Sequence, residues 1–455
     1  MSGQASATLI RGAHVWQHGP ADLRVAGNRI AEIGPRLDAT PGAEVVEAQG
    51  QLLYPGLVNA HHHVAQSLSK GLPGGIDLPL GEWLAAVPYR IWPLLTPDSL
   101  YVAARIGFAE LLRAGCTTCA DHHYLYHADS SPELEDAVFQ AADEVGIRLV
   151  LCRGGHTVAG SHRGFAHAGL APESLDQCLR GLQDTADRRH DPAADAMSRV
   201  AVAPTSLVHT HSADHLRQLA AFAAERGLRR HSHLLEVQHD DEAAQAAHGL
   251  RALDYADSVG WLGEDVWYAH LVHLTEPDVD RLAKSGTGIA HCPTSNCRLG
   301  SGVAPVQAMA AAEMPISLGV DGSASAESGS LVAEMNLSWL LHRALAGPEA
   351  TKAETVAHWA TRGGAKMLGF DELGQLEPGM LADLALYDLD QPRFHGLWQP
   401  ELAPVLCGEP LAATGVMVNG RWRLRDGDIL GLNRDDLRRD AERELARLQG
   451  LAAQH

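Results

Sequence analysis

The sequence predicts an α/β protein, a (β/α)8 TIM-like barrel with a small β-sandwich domain built from both termini. Strand-like and helix-like segments alternate through the middle of the chain, and short alternating strands separated by turn residues occur at both ends. We expect residues 1–57 and 372–455 to form the sandwich domain, with a C-terminal helix, and residues 58–371 to form the barrel.

Eight apolar runs in the middle segment end in polar residues, and eight is the number of strands that such a barrel requires. The predicted strand ends lie near His63, His123, Arg153, Ser206, Glu236, His270, His291 and Asp321. Because the C-terminal ends of parallel strands meet at one mouth of a barrel, these side chains should converge there. Residues 64–93 are too many for a simple connection and are rich in Gly and Pro, which indicates a lid or binding loop.

Helix signals fall between the predicted strands. Thr96 and Pro97 supply an N-cap and a first-turn proline before an amphipathic run that stops near Gly115. Thr275 opens a second helix in the same way. The charged stretch 435–447 predicts a surface helix.

The composition narrows the classes of partner. A formal net charge of −20 disfavours nucleic acid, which needs a cationic face, and disfavours anionic membranes for the same reason. The seven cysteines have no disulfide-framework spacing, which favours a reducing compartment. The sequence has no signal-peptide pattern and no apolar stretch long enough to span a bilayer, so we expect a cytoplasmic protein.

Three histidines and one aspartate fit a metal site. Residues two apart on a strand point to the same side, so His61 and His63 can bind one ion. His233 ends the predicted fifth strand and Asp321 ends the eighth. Alone, each histidine would be interpreted as a core residue, but their shared position at strand ends favours one divalent metal ion of the zinc class. Four protein ligands of this kind leave a coordination position for water, which is typical of catalytic sites.

Two further side chains are candidates for proton transfer. Glu236 follows His233 by three residues, and its carboxylate can take a proton from water and return it to a substrate. The alternative for Glu236 is an acid in the first turn of a helix. His270 can polarise the substrate or orient the nucleophile, although a packing role is an equal alternative.

Other polar residues at the strand ends are interpreted as supporting groups. Asp121 and His122 are expected to support the ligands by fixing a histidine tautomer, with a direct role as the alternative. His231 and His273 are expected to be bystanders. For His291, packing and a direct role both stay open.

These motifs resemble those of the amidohydrolase superfamily, and of its aminohydrolase branch in particular. The motifs are His-x-His at 61–63, His-Leu-Leu-Glu at 233–236, Ala-His at 269–270, His-Cys-Pro-Thr-Ser-Asn at 291–296 and Val-Asp-Gly at 320–322. The resemblance extends over nearly the whole chain. It implies that His61, His63, His233 and Asp321 hold one divalent metal ion, zinc with iron as the alternative. It also implies that Glu236, His270 and Asp321 are the catalytic residues.

The activity that the resemblance implies is hydrolytic deamination of an aromatic heterocycle. Water, deprotonated with help from Asp321 and His270, attacks the carbon that bears the exocyclic amine. Glu236 protonates the neighbouring ring nitrogen, and ammonia leaves. Homo-oligomers are common in this branch.

Segments 82–90, 120–124, 153–155 and 292–300 are most similar to deaminases of oxidised bicyclic heterocycles, those of isoxanthopterin first and of 8-oxoguanine second. Loop 203–207 lacks the arginine that guanine deaminases carry there. The expected partner is therefore a small heterocyclic molecule. The substrate contacts that the resemblance implies are Gln66, Trp83, Tyr89, Arg153 and Ser295.

Three alternatives stay open at this point. Each of those substrate contacts can instead be a loop-packing residue. The same metal site can remove chloride or an alkylamine from a triazine, because any good leaving group on an electron-poor ring would serve. A metal-free structural relative is the third alternative, and the complete set of metal-binding residues argues against it.

Overall fold

The computed structural model describes residues 7–159 and 169–453, whose strands form two sheets. The strands are β1 Ala7–Val15, β2 Gly19–Ala26, β3 Arg29–Gly34, β4 Glu44–Glu47, β5 Gln51–Pro55, β6 Leu57–His63, β7 Cys116–His123, β8 Arg148–Arg153, β9 Ser198–Val202, β10 Arg230–Leu234, β11 Val266–His270, β12 Gly288–His291, β13 Ile316–Leu318, β14 Asp321–Gly322, β15 Leu384–Asp388, β16 Ala413–Val418, β17 Arg421–Arg425 and β18 Asp428–Ile429. One sheet comes from both ends of the chain, and the other comes from its middle.

The middle sheet is a closed parallel barrel. Strands β6 to β13 pair in sequence order, and the short β14 pairs with β6, so β13 and β14 are two pieces of an eighth strand. Closure brings the C-terminal ends of the strands to one mouth. The predicted fold class, a TIM-like barrel with a small sheet domain built from both termini, is confirmed.

Two predicted strand ends lie beyond the observed strands. β9 ends at Val202 rather than near Ser206, and β10 ends at Leu234 rather than near Glu236. Ser206 makes only an isolated bridge to His233. The backbone turns at Leu235, whose φ of 53° is incompatible with an extended strand. Ser206 and Glu236 therefore lie on loops at the mouth of the barrel.

The terminal sheet is held together by pairing between the two chain ends. Its strands follow the order β18-β17-β16-β15-β5-β1-β2-β3, and β4 pairs with β1. The antiparallel pair β5–β15 joins the N-terminal and C-terminal parts. A buried ion pair connects this region to the barrel, since Arg148 Nη2 lies 3.1 Å from Asp383 Oδ1. The domain limits at residues 57 and 372 remain a prediction.

The helices up to residue 311 lie in the connections between the barrel strands, and those from residue 323 onward follow the last barrel strand. They are α1 Leu80–Ala86, α2 Pro88–Ile91, α3 Pro97–Arg113, α4 Glu133–Val145, α5 Leu175–Arg189, α6 Ala213–Arg226, α7 His239–His248, α8 Ala252–Ser258, α9 Glu276–Ser285, α10 Pro293–Arg298, α11 Val306–Ala311, α12 Ser323–Ala326, α13 Leu331–Ala346, α14 Ala353–His358, α15 Gly364–Met367, α16 Ala403–Leu406 and α17 Arg434–Ala452. The predicted starts of α3 and α9 are confirmed, because Thr96 and Thr275 occupy their N-caps. In the described part of the chain, no helix combines the length and the apolarity that crossing a membrane requires.

The charged C-terminal stretch is a helix, as predicted, but one of its faces is buried. Ser99 Oγ donates to Glu444 Oε2 at 3.0 Å, which joins α17 to α3. Arg447 donates to the carbonyl of Leu94 at 3.0 Å, and Arg90 donates to the carbonyl of Ala452 at 2.7 Å. Helix α17 therefore supports the long segment 64–93 that follows the first barrel strand.

Candidate metal centre and active-site cavity

Histidines and one aspartate converge at the barrel mouth. His61 and His63 lie on β6, and their Nε2 atoms are 3.2 Å and 3.4 Å from Oδ1 of Asp321. Nε2 of His63 is 3.2 Å from Nε2 of His233 on β10. Ligand atoms of His61, His233, His270 and Asp321 all lie within 4.8 Å of one another. The structure thus brings together the four predicted metal ligands and His270.

Backbone carbonyls of neighbouring strands fix two of these rings. Nδ1 of His63 donates to the carbonyl of His122 at 2.8 Å, and Nδ1 of His233 donates to the carbonyl of Thr205 at 2.7 Å. With the proton on Nδ1, the lone pair of each Nε2 points into the cluster. Hydrogen bonds of this kind orient histidine ligands around metals.

A second histidine fixes the ring of His61. Nδ1 of His61 lies 2.8 Å from Nε2 of His231, whose Nδ1 donates to the carbonyl of Trp267 at 2.9 Å. This donation leaves Nε2 of His231 as the acceptor for the Nδ1 proton of His61. His231 therefore sets the tautomer of His61 and is not the bystander that the sequence predicted.

The electrostatics of the cluster fit a cation. Burial lowers the pKa of His61 to about 3, and it also lowers the pKa of His63 and of His233, so all three are neutral at pH 7. Burial raises the pKa of Asp321, but the neighbouring His61, His270 and His63 outweigh it and hold this pKa well below its ordinary value. Nε2 of His61 is buried and has no well-directed hydrogen-bond partner among the described residues. Neutral imidazoles beside an ionised carboxylate could hold a divalent metal ion.

Glu236 and His270 lie beside the cluster. Oε2 of Glu236 is 3.6 Å from Nε2 of His270, and Nδ1 of His270 donates to Oδ1 of Asn296 at 2.9 Å. Burial raises the pKa of Glu236 to about 7. Burial lowers the pKa of His270, but Glu236 and Asp321 raise it more, so the net shift is upward. Both groups can therefore exchange protons near neutral pH.

The backbone is strained where these side chains project. Leu235, His270 and Asp321 have φ values of 53°, 76° and 57°, in the left-handed region that non-glycine residues rarely adopt. All three lie at the C-terminal ends of barrel strands or just beyond them. The left-handed backbone at these three positions lies where the chain turns the reactive groups into the mouth.

A cavity opens over the cluster. One wall is apolar and comes largely from the long segment 64–93, which includes α1 and α2, while the other wall is polar. The lining residues are His63, Gln66, Leu80, Trp83, Leu84, Pro88, Tyr89, Tyr124, Thr205, Ser206, His233, Glu236, Asp240, His270, Leu299 and Asp321. Apolar and aromatic walls that meet a few converging polar groups are typical of sites for small organic molecules.

The predicted substrate contacts divide into two groups. Gln66, Trp83 and Tyr89 line the cavity, whereas Arg153 and Ser295 are not among its lining residues. Ser295 Oγ instead donates to Oδ2 of Asp321 at 2.5 Å.

Arg153 is engaged in an ion pair behind the mouth. Its Nη2 lies 2.9 Å from Glu173 Oε1, and its guanidinium lies over the ring of Tyr126 at 3.8 Å. The expectation that Arg153 contacts substrate is therefore corrected, because its guanidinium binds Glu173 and packs on Tyr126 outside the cavity lining.

Of the two residues predicted as supports, Asp121 has a definite partner, whereas neither ring nitrogen of His122 has a hydrogen-bond partner among the described residues. Asp121 Oδ1 accepts the Val64 backbone N–H at 2.8 Å rather than a histidine proton, so it supports the loop after β6. His291 and His342 have their Nε2 atoms 3.1 Å apart, and His273 contacts the carbonyl of Ser301.

Several residues of the site were not predicted from the sequence. His231 carries a usable signal, since it precedes His233 by two residues on the same strand, the spacing that singled out His61 and His63. Tyr124 and Asp240 also line the cavity, and only the tertiary structure brings them there.

A parallel barrel with imidazoles and carboxylates gathered at its C-terminal mouth defines a hydrolase of the metal-dependent class. Residues 52–423 match the sequence profile of the Amidohydrolase family. The chain belongs to the amidohydrolase family, and it is a hydrolytic aminohydrolase.

Two curated relatives and two solved structures are similar along nearly their whole length. An isoxanthopterin deaminase from an unknown prokaryotic organism is 40% identical over 442 residues, 94% of this chain and 92% of that protein. The 8-oxoguanine deaminase of Pseudomonas aeruginosa is 38% identical over 417 residues, 90% of this chain and 91% of that protein.

The first solved structure is an amidohydrolase from an environmental sample of the Sargasso Sea, with a TM-score of 0.84, 36% identity, and coverage of 98% of this chain and 100% of that one. The second is atrazine chlorohydrolase from Arthrobacter aurescens complexed with zinc. It has a TM-score of 0.89 and 26% identity, and the match covers 96% of this chain and 100% of that one.

We predict that His231→Leu weakens metal binding by about 10- to 100-fold, because His61 loses the acceptor that fixes its tautomer. His231→Gln should recover part of the affinity, since its amide oxygen can accept the same proton. Metal retained during titration with a chelator is the measurement. His395→Gln, at an exposed histidine of the terminal region, is the control. If His231→Leu retains its metal as well as the wild type does, His231 does not fix the tautomer of His61 for metal binding.

Proposed function

We propose that the protein is a zinc-dependent deaminase that removes the exocyclic amine of an oxidised bicyclic aminoheterocycle, with isoxanthopterin as the substrate favoured first. The observation that carries the proposal is a cleft with aromatic and aliphatic walls that ends at Glu236, His270 and Asp321. The 40% identical isoxanthopterin deaminase supports this substrate, and the 38% identical 8-oxoguanine deaminase makes 8-oxoguanine the second candidate.

We assign His61, His63, His233 and Asp321 as the metal ligands, because their facing donor atoms suit a zinc-class ion. Zinc is favoured over iron because a similar structure contains it. When bound, the ion supplies Lewis-acid activation and lowers the pKa of water to around 7.

His270 and Asp321 orient the attacking water and help to deprotonate it, and Glu236 carries the proton to the ring nitrogen beside the reacting carbon. The water oxygen forms a bond to that carbon, and its second proton passes to the amine by way of Asp321 and His270. The carbon–nitrogen bond then breaks, the amine leaves as ammonia, and the oxygen remains as a carbonyl. Asn296 holds the ring of His270 during these steps through its hydrogen bond to Nδ1. Ser295 restrains Asp321 in the same way.

The cavity walls favour a flat, uncharged ring system. Trp83, Tyr89 and Tyr124 provide aromatic surface, and the amide of Gln66 can both donate to and accept from a ring edge. Among the described residues that line the cavity there is no lysine or arginine. A phosphate or carboxylate substituent would therefore find no lysine or arginine partner there.

The activity is tested by ammonia release from zinc-loaded protein with isoxanthopterin, pterin, 8-oxoguanine, guanine and a chlorotriazine. We expect the highest kcat/KM with isoxanthopterin. Turnover of 8-oxoguanine alone would keep the reaction and move the substrate to the second candidate. No turnover across the set, with metal bound, would contradict the proposed substrate class.

We expect Glu236→Gln to keep its metal and to lose about 10²- to 10⁴-fold in kcat, because the amide cannot carry the proton. Steady-state kinetics and metal analysis of the same sample are the measurements. Glu242→Gln is the matched control, since Glu242 is an exposed acid on α7. Turnover near that of the wild type would remove Glu236 from the mechanism.

The pH dependence of kcat/KM should show an acidic limb near pH 7. Glu236, with its pKa raised to about 7, must be ionised to accept the proton, so its active form is lost as the pH falls. We expect kcat/KM to fall about tenfold per pH unit below that point. Metal content is measured across the same range, and a flat profile down to pH 5 would contradict the assignment.

A further inference from the structure

One carboxylate of the cavity has no part in the proposed proton transfers. Asp240 lies in the first turn of α7, lines the cavity and is 8% exposed. Its only ion-pair partner among the described residues is His209, whose Nε2 lies 3.1 Å from Oδ1. A buried acid in a substrate cavity needs hydrogen-bond donors, and a ligand can supply one.

The position of Asp240 is tied to that of Glu236. Oδ2 of Asp240 accepts the backbone N–H of Glu236 at 3.2 Å, and Oδ1 accepts from His209. Each carboxylate oxygen has two lone pairs, so both oxygens can accept a further hydrogen bond. The carboxylate can only accept, and it therefore favours an N–H on the part of the substrate next to the atom that Glu236 protonates.

We propose that Asp240 selects substrates whose second ring carries a lactam N–H beside the reacting ring, an inference that rests on the proposed function. In isoxanthopterin the oxo group at position 7 makes the nitrogen at position 8 an N–H. The nitrogens at positions 8 and 1 are both bonded to the same ring-fusion carbon, and the nitrogen at position 1 is also bonded to the carbon that bears the amine. If Glu236 protonates the nitrogen at position 1, the N–H at position 8 is the next group along that edge of the two rings, and it reaches Asp240.

Pterin lacks the oxo group at position 7 and presents a lone pair at position 8. A lone pair that faces a carboxylate is repelled, and both groups lose water without gaining a hydrogen bond. The same carboxylate therefore attracts one compound and rejects the other. Sites built around a substrate N–H or O–H discriminate strongly against analogues without it.

The first measurement is kcat/KM of the wild-type protein for isoxanthopterin and for pterin. We expect isoxanthopterin to be preferred by at least about tenfold. Turnover of both compounds with equal efficiency would keep the proposed function and overturn the role of Asp240. No turnover of either compound would overturn this inference, and the proposed function would fall with it only if 8-oxoguanine is not turned over either.

The second measurement repeats the comparison with Asp240→Asn. The amide oxygen can still accept from Glu236, and its NH₂ can donate to Nε2 of His209 once His209 carries its proton on Nδ1, so both protein contacts are available to the variant. The amide can also donate to the nitrogen at position 8 of pterin. We expect the ratio of kcat/KM for isoxanthopterin to that for pterin to fall at least about tenfold.

Glu242→Gln removes the same charge from an exposed position on the same helix and should leave the ratio unchanged. An equal loss for both compounds in Asp240→Asn would indicate a structural role and overturn the inference. If Asp240→Asn does not fold, the wild-type ratio still decides the proposal.

Discussion

The site depends on the burial of one carboxylate among imidazole rings whose Nε2 atoms face one another. Nitrogen lone pairs 3.2 Å apart in a water-excluded centre repel unless a cation or a proton lies between them. This arrangement persists only if each ring is held from its other nitrogen, and the structure provides an acceptor for each Nδ1 proton. The acceptors are the carbonyls of His122 and Thr205 and the ring of His231. The register of neighbouring strands is therefore part of the metal site.

The need to place the Asp321 carboxylate beside these rings also explains why the eighth strand is broken. β13 ends at Leu318, and the chain approaches β6 so closely at Gly319 that an added Cβ would lie 2.8 Å from that of His61. Val320 then donates to Oδ1 of Asn59, which returns the chain to the barrel before Asp321 adopts its positive φ. A regular strand would place the Asp321 carboxylate elsewhere. The left-handed residues of the mouth are held in place by the closed sheet around them.

The barrel and the metal-binding cluster could be predicted from the sequence because both depend on where polar residues follow apolar runs. Contacts between distant segments could not be predicted in that way. Arg153 ends a strand like the other site residues, but Glu173, twenty residues later, binds it away from the cavity. His231 acquires its role from the carbonyl of Trp267, which sets its tautomer. Tyr124 packs in the wall against Trp92, with ring centroids 5.7 Å apart, and no local pattern encodes that packing.

The C-terminal helix lies under the segment that forms the apolar wall of the cavity. Arg447 of α17 donates to the carbonyl of Leu94, just after α2. The carbonyl of Ala452, also on α17, accepts from Arg90, which lies within α2. Trp83 and Tyr89, which face the cavity, belong to this same segment. The far end of the chain thus acts as a scaffold for substrate recognition. A substitution on the buried face of α17 would therefore alter the cavity wall without changing any residue that lines it.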